Sequence, residues 1–240
     1  MLRFVYIIGF VFCFFGLDAQ TKKDSIAKSE FSIYKYKPTP KDRVIFELAH
    51  TGWLGAPSGL EAAYTSGGVN ILLYFDHPLG NSYFSFAWGA GFSSYNVHGP
   101  INMVYHTDTL TKNFSYTSLE KRDESYFINR IGLKVVEVPV EFRFRSRTDY
   151  QFKLSLGFKV GYVVQSFRKI FDDHENVKIF NIKGINMLRY GPTLRVGWEQ
   201  LHITAFYSLS EFFADGQGPS GIHPFYIGLA YTPRISVGGK

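Results

Sequence analysis

Residues 141 to 158, EFRFRSRTDYQFKLSLGF, alternate with period two on both sides of a short polar break, and no other feature constrains the chain as much. Glu141, Arg143, Arg145 and Arg147 interleave with Phe142 and Phe144. Gln151, Lys153 and Ser155 then interleave with Phe152, Leu154 and Leu156. Successive side chains of a strand point to opposite faces, so this is a hairpin with one aromatic and aliphatic face and one charged face. A soluble sheet satisfies the pattern by placing the charges in water and the apolar row in a core. A membrane barrel inverts it, with the apolar row against lipid and the charges inside.

Eight extended runs are expected, near 43–53, 61–76, 82–97, 127–146, 151–167, 187–198, 201–212 and 223–233. They exceed the five or six residues usual in soluble sheets and match the 9 to 11 or so that a membrane strand needs. The connections sort by parity. DHPLGN, SRTD and EQ are tight, whereas about 98–126, 168–186 and 213–222 are long and polar. Short turns at one end and long loops at the other are the pattern of an eight-stranded antiparallel up-and-down transmembrane β-barrel. The face assignment carries a substitution test: an arginine at Val140 or Leu156 meets hydrocarbon, and one at Ser155 is expected to be milder.

The flanks read differently. Residues 1–19 combine Arg3, an apolar run from Phe4 to Leu17 and Ala19, the order of a cleaved secretory signal peptide. The single cysteine, Cys13, lies within that leader, so no disulfide is expected in the exported chain. Residues 20–42 are polar and lysine-rich and read as a flexible basic periplasmic arm, with Lys22, Lys23, Lys28, Lys35, Lys37 and Lys41 offered to a protein partner. The barrel occupies 43–233 and a short tail 234–240. The net charge of +6 does not point to nucleic acid, because no nucleic-acid motif is present and an exported chain meets anionic lipid first. The localisation expected is the outer membrane.

An eight-stranded barrel is just wide enough for side chains to fill it. The inward set mixes signs: Glu47, Glu137, Glu141 and Glu199 stand against Arg143, Arg145, Lys153, Lys159, Arg189 and Arg195. A plugged interior with a salt-bridge network is expected, with an anion-selective pore as the alternative. Trp53, Trp88 and Trp198 read as interfacial girdle residues. For catalysis, the nearest constellation is Ser208, Ser210 and Glu211 with His223, but His223 falls on the lipid-facing parity and no orienting group is evident. Asp172, Asp173, His174 and Glu175 lack the spacing of a calcium loop and read as a solvated acidic loop. The expectation is a non-enzymatic protein with neither cofactor nor metal.

Two segments go beyond periodicity. LKVVEVPVEFRFRSRTDYQFKLSLGFKVGYVV sets Val-Pro in a strand that turns basic and aromatic, with Gly-Phe-x-x-Gly on the return strand, and GGVNILLYFDHPLGNSYFSFAWGAGFSSYNV forms a second hairpin. Both resemble the outer-membrane barrel domain of the PorT-like proteins of Bacteroidota, over about residues 43–233. The resemblance implies an outer-membrane barrel serving as an accessory or assembly component, with type IX protein secretion as the specific role and periplasmic or outer-membrane proteins as partners. The alternatives are a surface barrel that binds a ligand through its outer loops and a rim-site lipid enzyme.

Overall fold

The structure, a computed structural model, describes residues 43–111, 113–146, 150–173 and 175–233. The leader, the basic arm with its six lysines, His174 and the C-terminal tail lie outside the described residues. Eleven strands are present among the described residues: β1 (Val44–Leu54), β2 (Gly67–Pro78), β3 (Phe84–His98), β4 (Ile101–Thr107), β5 (Phe114–Lys121), β6 (Ile128–Arg145), β7 (Phe152–Phe171), β8 (Asn176–Phe180), β9 (Leu188–Trp198), β10 (Leu201–Tyr207) and β11 (His223–Tyr231).

Eight of them, β1, β2, β3, β6, β7, β9, β10 and β11, pair antiparallel in a ring that the β6–β7 pairing closes. Register measures the closure. A rung that starts at Tyr162 passes through Val136, Phe92, Ile71, Phe46, Tyr231, Leu201 and Trp198, and returns to β7 at Phe152, ten positions from where it left. That stagger over eight strands, with about 3.3 Å per residue and 4.8 Å between strands, sets a strand tilt of about 40°.

Period two holds along the wall. β2 alternates Asn70, Leu72, Tyr74 and Asp76 inward with Val69, Ile71, Leu73 and Phe75 outward. In β7 the phase changes once: Val163 pairs with Val135 and Gln165 with Lys134, leaving Val164 as a bulge. A bulge adds one residue to one strand, so beyond it the odd-numbered residues of β7 face outward.

The long links depart from the expected polar loops. The link at about 98–126 contains the hairpin β4–β5, and the link at about 168–186 contains β8, which pairs with the far end of β7, a strand that runs on to Phe171. Residues 61–66 precede β2 instead of belonging to it, and β10 stops at Tyr207, so 208–222 is a loop. These segments bind one another. Thr117 donates its backbone N–H to Gln217 O at 2.9 Å and its hydroxyl to Lys183 O at 3.0 Å, while Arg168 donates to Met103 O and Asn102 Oδ1. Beneath them an apolar cluster gathers Leu60, Ile101, Met103, Ile185, Phe213 and Ile222, all buried. Burial pushes the Tyr105 hydroxyl on β4 above its ordinary pKa, with Arg168 opposing the shift.

Candidate functional site

The ring interior has two tiers. Toward the long links it is apolar and continuous with the cluster just described. Toward the short turns it is charged, and the nine residues singled out from parity, Glu47, Glu137, Glu141, Arg143, Arg145, Lys153, Lys159, Arg189 and Arg195, are all buried, Arg189 alone at the long-link end of its strand beside the apolar tier. Their strands deliver them in register: Glu141 and Arg143 come from β6, Lys153 and Lys159 from β7, Arg195 from β9 and Glu47 from β1.

Glu141 is the central acceptor. It accepts from Arg195 Nη2 at 2.5 Å, from Arg143 Nε at 2.7 Å and from the Tyr74 hydroxyl at 2.5 Å. The Arg143 guanidinium lies 4.3 Å from the centre of the Tyr74 ring, so the same tyrosine supports both partners. Glu47 accepts from Asn70 Nδ2 at 2.8 Å, the Thr204 and Tyr226 hydroxyls at 3.0 Å and Arg195 Nη1 at 3.4 Å. Glu137 accepts from Lys159 Nζ and the Ser93 hydroxyl at 2.8 Å and from the Tyr95 hydroxyl at 2.9 Å. A buried carboxylate is tolerated only when its lone pairs are met in this way, since removing one partner strands the other charge out of water.

Parity named the charges but left out several partners. Asp76 accepts from Arg145 Nη2 at 2.5 Å and stands 3.9 Å from Arg143 Nη1. It shares the inward phase of β2 with Asn70 and Tyr74, which was the signal available. Arg189 departs from the expected ion pairing. It stacks 4.7 Å from the Tyr95 ring, its Nε has no hydrogen-bond partner, and no carboxylate pairs with it among the described residues. Glu199 occupies the β9–β10 turn with φ of 51°, where the two-residue connection requires a left-handed residue.

The girdle expectation needs one correction. Trp88 and Trp198 face outward, 45% and 60% exposed, but Trp53 is only 8% exposed and faces the interior. It shares the phase of Glu47, Ala49 and Thr51 on β1 and packs on Phe212, with ring centres 4.8 Å apart. Trp53 therefore belongs to the apolar tier.

The His and Ser residues near the rim meet differently from a base and its nucleophile. His223 Nδ1 lies 3.1 Å from the backbone oxygen of Ser208, while the Ser208 hydroxyl bonds Ser210 at 2.9 Å. Both serines are buried in the loop after β10, and no imidazole–hydroxyl bond joins them among the described residues. Asp172 accepts from Arg122 Nη2 and from the Glu175 backbone N–H, and Glu175 and Glu124 also pair with Arg122. That acidic stretch is organised by an arginine.

No family model matches the chain, and no curated protein does. Among solved structures it is similar to Ail, the attachment invasion locus protein of Yersinia pestis, at 14% identity over 79% of this chain and 95% of that one, with a TM-score of 0.32.

Proposed function

We propose that the chain is an outer-membrane β-barrel protein that works without a catalytic step, as an accessory or assembly component of an outer-membrane complex, with protein secretion of the PorT kind as its role. The observation that carries the membrane reading is the outward face. On β6 it runs Val136, Val138, Val140, Phe142 and Phe144 without a charge, opposite buried Glu137, Glu141 and Arg143. The nine positions from Val136 to Phe144 rise about 20 Å at a tilt near 40°, close to the apolar band of about 25 Å in outer-membrane barrels. Trp88 and Trp198, with Phe75 and Phe152 packed on them, take the girdle position near the short turns. Such a wall in water would expose apolar surface all the way round, far beyond the patches soluble proteins carry.

The interior argues against conduction. Its charged tier is largely saturated by its own hydrogen bonds, and its apolar tier continues into the cluster beneath the long links. What remains for function is surface, and the basic arm supplies a periplasmic one that can meet acidic partners. The test compares strains lacking the gene with strains lacking residues 22–38. Loss of secreted cargo in both, with the arm-deleted barrel still folded, supports the role, and normal export without the gene rejects it. A second reading, ligand or partner binding through the long links, is favoured by the hydrogen bonds that join them into one ordered surface. His223→Ala is expected to be silent; a changed lipid A mass that follows it would favour a rim-site enzyme instead.

A further inference from the structure

On the outer wall the unbroken apolar rows of β3 and β6 end at one rung, where Phe92 and Val136 are register partners with Tyr162 of β7, and on β7 the exposed Val164 of the bulge lies just past it. Beyond it, toward the long links, the outward positions turn basic. Lys134 stands between Ser94 and Gln165, and two rungs farther His98, Arg130, Lys169 and Lys178 lie side by side across β3, β6, β7 and β8. Directly paired residues project to the same face, about 5 Å apart, so these four form a continuous row. The bulge at Val164 puts Lys169 there; without the phase change this residue would face the interior.

Nothing among the described residues neutralises the row. Arg130, Lys134, Lys169 and Lys178 make no ion pair with a described residue, and the nearby Asp172, Glu124 and Glu175 are engaged by Arg122. The Nε of Arg130 is buried and has no hydrogen-bond partner. Phe167 fills the wall between them, its ring centre 5.6 Å from the Arg130 guanidinium and 4.4 Å from Lys178 Nζ. Like charges directly opposite each other weaken a sheet, so sheet stability alone disfavours Arg130 against Lys169 against Lys178. An anion set over the row removes that penalty.

We propose that this row binds the phosphate groups of a phosphorylated lipid of the outer leaflet. The inference rests on the membrane-barrel reading with the long links outside. On that reading the row sits just past the edge of the apolar band, at the depth of lipid headgroups, while the acyl chains continue down over Phe92, Val136 and Tyr162. The row spans about 14 Å across four strands, enough to meet two phosphates of one headgroup. Arginine and lysine are the side chains suited to this, as fork and point charge.

The experiment reconstitutes the full chain into phosphatidylcholine vesicles, checks insertion by flotation and heat-modifiable migration, and measures retention of bisphosphorylated lipid A by native mass spectrometry. The triple variant Arg130→Gln, Lys169→Gln, Lys178→Gln is expected to retain the lipid roughly a hundredfold more weakly, at about a fivefold loss per charge. Lys169→Gln alone, expected to lose about fivefold, serves if the triple variant does not fold. Dephosphorylated lipid A should show no difference between wild type and variants, and inorganic phosphate should not displace the lipid. Equal retention by inserted variants overturns this proposal alone, as does displacement by equimolar inorganic phosphate, which would mark a free-anion site. Failure of the wild type to insert overturns the membrane reading and the proposal together.

Discussion

Glu141 sits between two guanidinium groups, and its removal tests whether the interior is held by charge or merely filled by it. Glu141→Gln keeps the shape but leaves Arg143 and Arg195 short of a carboxylate, so a loss of about 3–5 kcal/mol is expected, read from the urea midpoint of refolded protein in lipid. Adding Arg195→Met should recover part of that loss, because the uncompensated cation goes with it. On the other face, Leu156 is 55% exposed, and Leu156→Arg should cost about 2–4 kcal/mol near the midplane. Ser155→Arg is not the mild comparator that parity suggests. Ser155 is in register with Arg143 on one side and Arg195 on the other, so a third cation lands between two buried ones, and a loss at least as large as that of Leu156→Arg is expected in the same measurement. Alternation shows which way a side chain points. It does not show who stands beside it across the strand, and that is why the faces were legible in the sequence while Asp76, Tyr74 and the exception of Arg189 were not.

At the scale of elements, the strands of the ring were legible because each carries several turns of the same two-residue alternation, while the extra strands were not. β4 and β5 hold polar and apolar residues without a clean phase: Val104, Tyr105 and His106 on β4 are all half-buried. β8 is exposed along its whole length and pairs with the part of β7 that lies beyond the bulge, where a phase change hides the continuation of the strand. Trp53 was misplaced for a related reason: a tryptophan near a strand end suits either a lipid interface or an apolar plug, and only the packing on Phe212 decides. This makes a spectroscopic prediction. Brominated lipids should quench the fluorescence of Trp88 and Trp198 and leave Trp53 largely unquenched, so a Trp53→Phe variant should show a larger quenched fraction than the wild type. An unchanged or smaller fraction would put Trp53 back at the lipid face. Trp53→Ala opens a cavity beneath the long links and should cost about 3–5 kcal/mol, read again from the urea midpoint.

For the whole molecule, the tight-turn end and the long-link end differ in kind, and the orientation they imply can be tested without unfolding anything. The β2–β3 turn at residues 79–83 is short, with Leu79 accepting the Ser82 hydroxyl, whereas the opposite end carries β4, β5, β8 and the apolar cluster beneath them. Outer-membrane barrels keep short turns in the periplasm and long loops outside, and the cap has to fold after its segments have crossed, because moving it ready-folded across the apolar band would bury its polar backbone in lipid. The cap is assembled from segments far apart in sequence, Thr117 bonding Lys183 and Gln217, so it completes only when the ring closes. The long links are therefore expected outside and the tight turns in the periplasm. A cysteine at Thr111, in the exposed β4–β5 turn, should react with an impermeant maleimide on intact cells, and one at Asn81, in the exposed β2–β3 turn, should react only after the outer membrane is opened. Labelling at Asn81 alone would invert the orientation and move the basic row of Arg130, Lys169 and Lys178 to the inner leaflet. Equal labelling of both on intact cells would remove the membrane from the description of this wall altogether.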